Sequence, residues 1–231
     1  MDHIKSKGGL QLPSGGTLTA RRFLTLGMGF GKHGSVDEVH EMIFRMHSDL
    51  EQFTFITRST LSALEAIGPS FDDNVVYALL REAIYCEREA SKWAAERVGR
   101  SMKEFDWLSG SPSSFNSKDQ PLYFSGAMVY PFMFETYPEL KKLKDVAQII
   151  AHFKYWPDLY DEHQLAKNEV PVYSATFVDD AYIDFGFAQE TLGRVGNCKQ
   201  FITNTMYHDA IRSKTVDVMR ELFALRDDVR D

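Results

Sequence analysis

The apolar positions of this chain change period once, near Asn168. Before that point they recur at helical spacing. From Ser35 the residues Val36, Val39, Met42, Ile43, Met46 and Leu50 follow a 3.6-residue period, and Ser35 with Glu38 three residues on forms a capping box. A second helix is predicted from near Ser70, with Asp73 in the matching position and Val75, Val76, Leu79, Leu80 and Ile84 as its apolar residues. Residues 88–98 read as an alanine-rich helix stopped by Gly99. Pro138 is placed to open a further helix that runs to about Phe153. Residues 17–31 read as a helix broken by Gly27, Gly29 and Gly31, after a turn at Pro13-Ser14-Gly15-Gly16. Residues 110–122 read as a polar loop.

Beyond Asn168 the texture becomes that of a small α/β segment. Residues 170–178 are rich in Val, Tyr, Thr and Phe, as a buried strand is. Residues 184–194 form a helix with Asp184 as its N-cap, Gly196-Asn197 a turn, and 198–204 a second strand. Residues 215–225 form a closing helix with Val216, Met219, Leu222 and Phe223 on one face. The fold class is therefore mainly α with a small β-α-β-α tail, divided at 1–165 and 166–231. Two strands do not make a stable open sheet alone. The tail reads as one side of a larger sheet, and its unpaired edge is a site for self-association.

Composition narrows the function classes. The formal net charge is −7 and no basic stripe appears, which argues against nucleic acid. No apolar run is long enough to cross a bilayer. The opening MDHIKSKGGLQL lacks the apolar core of a signal peptide, so a cytoplasmic location is expected. Cys86 and Cys198 fit no metal spacing and read as two buried free thiols rather than a disulfide.

The chemistry lies in the tail. The first strand ends in Asp179-Asp180, and the second leads to His208. Strand, acid, helix, strand, histidine is the order of the last two members of a Ser-Asp-His triad in an α/β-hydrolase. Histidine takes the proton from a weak serine nucleophile, and the carboxylate fixes the histidine tautomer. Asp179 and Asp180 both stand just past the strand end, so either can supply the acid. The pair also invites a metal reading, but no nearby His or Glu completes a ligand set. No G-x-S-x-G elbow is present. Its nearest approach, Gly110-Ser111-Pro112-Ser113-Ser114, has proline at the nucleophile position. The other six histidines, His33 among them, have no comparable setting.

Several segments carry a resemblance. VPVYSATFVDDAYIDF and QFITNTMYHDAIRSK resemble the C-terminal part of proline iminopeptidases, prolyl aminopeptidases of the α/β-hydrolase superfamily. LPSGGTLTARRFLTLGMGFG, LREAIYCEREASKWAAERVG and YPFMFETYPEL resemble their helical cap. The resemblance implies a helical cap at 1–165 and the C-terminal portion of the sheet domain at 166–231. It implies release of N-terminal proline from short peptides without a cofactor, with Asp180 as triad acid and His208 as base. It also implies that the serine and oxyanion hole lie upstream of Met1, so that this chain alone is inactive. LREAIYC resembles the segment whose glutamate binds the substrate amine, which makes Glu82 the candidate. In FSGAMVYP the position of a second such glutamate holds Ala127, and Glu135 is the candidate substitute. The aromatic residues Tyr123, Phe124, Tyr130, Phe132, Phe134 and Tyr137 supply either core or the walls of a proline pocket. Two other readings stay open: a non-catalytic helical binding module, and a fragment of another capped α/β-hydrolase such as an esterase or epoxide hydrolase.

Overall fold

A computed structural model describes residues 1–68, 71–110 and 121–227. The backbone forms two compact units. One holds Met1–Gly29 and Asp37–Pro157, and the other holds Phe30–Val36 and Asp158–Asp231.

Among the described residues, the regular structure of the first unit is helical apart from one short hairpin. After α1 (Asp2–Ser6), β1 (Leu10–Gln11) pairs antiparallel with β2 (Thr17–Leu18) across the Pro13–Gly16 turn. The expected broken helix at 17–31 is instead β2, then α2 (Ala20–Leu24), then a 3-10 turn at Thr25–Gly29. Thr19 starts α2 by accepting a hydrogen bond from the Arg22 N–H. α3 spans Ser35–Phe53, and α4 (Arg58–Ile67) follows, capped by the Thr57 hydroxyl. The second predicted helix is shorter than its apolar stripe. α5 runs only Val75–Leu80, capped by Asn74, and a 3-10 turn covers Ala83–Tyr85; Ser70 lies outside the described residues.

The alanine-rich helix is also shorter than expected. α6 begins at Ala94 and ends at Gly99, because Arg88, Lys92 and Trp93 all hold positive φ. Three left-handed residues cannot sit inside a right-handed helix. The helix expected from Pro138 to Phe153 breaks in two after α7 (Met133–Thr136). α8 (Pro138–Lys141) has proline in its first turn, and Leu143 at φ −111° and ψ 11° precedes α9 (Lys144–His152). Of the loop at 110–122, residues 111–120 lie outside the described residues.

The core of this unit is aromatic. Phe71, Trp107, Phe134 and Tyr137 are almost fully buried, with Leu108, Met133 and Leu140 among them. Phe71 meets Tyr137 edge-on at 5.8 Å, and Trp93 meets Phe134 at 5.7 Å. The Trp107 indole donates to the Tyr123 carbonyl at 3.0 Å, and the Arg22 guanidinium lies 3.5 Å from the Tyr137 ring centroid. Most of the aromatic stretch 123–137 is thus core, although Tyr123 is exposed.

The second unit is the predicted tail. After α10 (Glu162–Ala166), β3 (Val172–Phe177) leads to α11 (Phe185–Gly193) and β4 (Cys198–Thr203). α12 (Ala210–Ser213) and α13 (Thr215–Asp227) close it. β3 and β4 pair in parallel, Val172 opposite Cys198 through to Phe177 opposite Thr203. Parallel pairing requires a crossover, which α11 supplies while packing on β3. Asp184 caps α11, accepting from the Phe187 N–H at 3.0 Å. α13 packs on both strands through a face centred on buried Val218; Val216 and Phe223, placed on the apolar face by the sequence pattern, are exposed. Both cysteines are free, Cys86 buried and Cys198 half-buried. Among the described residues no helix is long and apolar enough to cross a membrane.

Candidate active site

Parallel pairing brings the C-terminal ends of β3 and β4 to the same side of the sheet. Asp180 stands three residues past β3 and His208 five past β4. The turn after β3 is tight. The Val178 N–H still donates to the Thr203 carbonyl at 2.9 Å, and the Asp180 N–H turns back to the Phe177 carbonyl. This turn aims the Asp180 side chain inward and leaves Asp179 exposed.

The two oxygens of Asp180 divide their partners. Oδ1 accepts from the backbone N–H groups of Tyr182 at 2.8 Å and Ile183 at 3.1 Å. Oδ2 lies 3.0 Å from Nδ1 of His208. The Asp180 side chain is only 6% exposed, while that of His208 is 45% exposed. A carboxylate fixed by backbone donors and meeting an imidazole nitrogen holds that ring in one tautomer, with the proton on Nδ1. Nε2 of His208 is then free to accept a proton. The Tyr182 ring packs against the His208 ring with centroids 4.6 Å apart.

A second acid–histidine contact lies beside the first. Asp209 Oδ1 accepts from the His33 backbone N–H at 3.1 Å and lies 2.6 Å from His33 Nδ1. Burial by itself raises the Asp209 pKa, but the hydrogen bonds and charge of His33, with the Ser213 hydroxyl, bring it below the usual carboxylate value. The sequence pattern gave His33 no role, because 176 positions separate it from Asp209.

Glu82 and Glu135 lie in the first unit. Glu82 accepts from the Ala94 N–H at 3.0 Å and the Ala95 N–H at 2.8 Å, one on each carboxylate oxygen. It therefore caps α6 from a distant position in sequence, and small apolar residues including Ala78, Ala83 and Ala147 line the pocket around it. Glu135 is half-exposed and pairs with Lys144 at 2.9 Å. Ala127 is buried, and its carbonyl accepts from Arg81 Nε at 3.1 Å. Among the described residues no group of three His, Cys, Asp or Glu side chains is placed to hold a metal.

No family model matches the chain. Individual proteins do. Over 215 residues, 93% of its length, the chain is 41% identical to the proline iminopeptidase aneH of Aspergillus aculeatus. Over 219 residues, 95% of its length, it is 33% identical to a proline iminopeptidase of Aeromonas sobria. Over nearly all of its own length, then, this chain is similar to proline iminopeptidases. It spans about half the length of these relatives, 46% of the first and 48% of the second. The likeness to both proline iminopeptidases takes in both units, so Glu82, Asp180 and His208 all lie on a chain that matches them nearly from end to end.

Proposed function

We propose that this chain is the helical cap and the C-terminal portion of an α/β-hydrolase that releases N-terminal proline from short peptides. Residues 1–165 supply the cap, apart from 30–36 and 158–165, which fall in the second compact unit, and 166–231 carry Asp180 and His208 as the acid and base of a Ser-Asp-His triad. The observation that carries this reading is the 3.0 Å contact between His208 Nδ1 and Asp180 Oδ2 at the ends of two parallel strands. The serine and the oxyanion hole belong, in this reading, to sequence that the relatives have and this chain does not.

In the proposed reaction, Nε2 of His208 takes the serine proton as the hydroxyl attacks the proline carbonyl, and later delivers it to the leaving amine. Asp180 stabilises the imidazolium formed in between. Glu82 holds the substrate amine through the acceptor capacity its carboxylate retains beyond the two backbone N–H groups. Glu135, already paired with Lys144, is the weaker candidate for a second amine contact. No cofactor is required. The chain alone is proposed to be inactive, since loss of the nucleophile and oxyanion hole costs several orders of magnitude.

The test is to fuse the chain behind the N-terminal half of the Aspergillus aculeatus relative and assay a chromogenic proline amide. Turnover by the fusion that His208→Ala abolishes supports the reading. Turnover by this chain alone, or a fusion indifferent to His208, overturns it. The same reading leaves a sheet edge without its neighbours, so the isolated chain is proposed to self-associate there. A strict monomer in sedimentation at high concentration contradicts that part.

A further inference from the structure

His208 stands between two residues that His33 holds. On one side the His33 ring lies against the Tyr207 ring, with centroids 4.8 Å apart. On the other side Asp209 Oδ1 receives the His33 backbone N–H at 3.1 Å and lies 2.6 Å from Nδ1. Ser213 Oγ lies 3.1 Å from the same Nδ1 and donates to the Asp209 carbonyl at 3.2 Å. Nε2 of His33 is buried with no hydrogen-bond partner among the described residues. A buried N–H without an acceptor is costly, so the neutral ring keeps its proton on Nδ1, where the carboxylate accepts it.

The same segment reaches the site a second time. A Cβ on Gly31 would fall 2.0 Å from Cε2 of Tyr182, so the Tyr182 ring occupies the space that a side chain there would fill. Tyr182 in turn lies against the His208 ring, 4.6 Å between centroids. Residues 30–36 belong to the second unit although the chain on either side of them belongs to the first.

We propose that His33 is a positioning residue for His208. By holding Tyr207 and Asp209 it fixes the backbone on both sides of His208, so that Nδ1 stays on Asp180 and Nε2 stays free as the base. The need for such a device is physical. The His208 side chain is 45% exposed and stands on a loop past the strand end, where a ring reorients at little cost. Proton transfer depends on sub-ångström placement of the base, and a single hydrogen bond to Asp180 leaves the ring's own backbone free to drift. This inference rests on the reading of Asp180 and His208 as acid and base.

The tautomer of His208 tests it on the chain as it stands. Free neutral histidine favours the proton on Nε2, whereas a hydrogen bond to Asp180 requires it on Nδ1. Nitrogen-15 shifts of the ring, read with the imidazole neutral, distinguish the two forms. In the wild-type chain His208 should be in the Nδ1–H form. His33→Ala should lose that preference and give a mixture, with amide dispersion retained. His33→Asn should restore it, since the amide N–H stands where Nδ1–H stood. Asp209→Ala removes the same bonds from the other side, and should give the same loss even if His33→Ala does not fold. A folded His33→Ala or Asp209→Ala chain with His208 still in the Nδ1–H form overturns the positioning role. A wild-type His208 in the Nε2–H form is a different result: it removes the acid–base reading itself.

Discussion

Nδ1 of His208 lies 3.0 Å from Oδ2 of Asp180, although 28 positions separate the two in sequence. Pairing of β3 and β4 in parallel register produces the contact, with Phe177 opposite Thr203 at the ends from which both residues depart. The two backbone N–H groups on Oδ1 hold the carboxylate, so the ring meets an acceptor already in place. A carboxylate held in this way differs from one in a mobile surface ion pair, which contributes little.

Glu82 should matter for stability before it matters for substrate. Glu82→Ala leaves the Ala94 and Ala95 N–H groups without their acceptors, at a cost of about 1–2 kcal/mol. For a chain of this length the melting temperature should fall by roughly 2–8 °C. Glu82→Gln keeps a neutral acceptor and should lose less. Calorimetry on the isolated chain reads this, and an unchanged melting temperature for Glu82→Ala removes the capping role. In the fused enzyme Glu82→Gln should lower kcat/KM for free-amine substrates and leave N-blocked or ester substrates largely alone. An equal loss on both makes the glutamate structural only.

Gly31→Ala should be more damaging than an ordinary surface alanine. The new Cβ meets the stiff Tyr182 ring at 2.0 Å, and such overpacking costs about 1–3 kcal/mol. The ring must shift, and His208, packed against it, should change its chemical shifts. Denaturant unfolding measures the first effect and ring signals of His208 the second. A variant as stable as the parent, with His208 signals unmoved, contradicts this packing.

The acid limb of stability should run partly through Asp49. Burial alone raises its pKa, but hydrogen bonds from Thr60 and Thr57 and the charge of Arg45 bring it below the usual carboxylate value. Its Oδ2 accepts from the Thr57 N–H and hydroxyl, each at 2.8 Å. A carboxylate whose folded pKa is lowered contributes fully above its unfolded pKa of about 4, and the contribution disappears as pH falls through the folded value. Asp49→Asn should therefore be less stable than the parent at pH 7, with the gap narrowing on acidification below about pH 4. Urea titrations across that range check it, and a gap that stays constant or widens contradicts it.

How much of this was legible in the sequence depends on how local its cause is. α3, β3, α11 and β4 appear within a few residues of the bounds that period, turn residues and the Asp184 cap dictate. α4 carries its own signals, Thr57 as cap and Gly68 at the end, yet the apolar pattern did not point to it. The alanine-rich stretch 88–98 misleads because helix propensity is a weak prior, and the left-handed backbone of Arg88, Lys92 and Trp93 follows from packing. The buried face of α13 turns on Val218 because the sheet it covers decides which side is inward. The contact between Asp180 and His208 follows from strand ends that the sequence pattern already marks. His33 was not legible, since only the fold brings it to Asp209.

If Asp180 and His208 act as one catalytic unit, a double-mutant cycle on kcat in the fused enzyme reads their coupling. Asp180→Asn and His208→Ala should each lower kcat by about 10⁴-fold, and the double variant should lose little beyond His208→Ala alone, as residues that act as a unit do. Losses below about tenfold for either single variant, or losses that multiply in the double, would show two side chains that act independently and rule out a shared acid–base role.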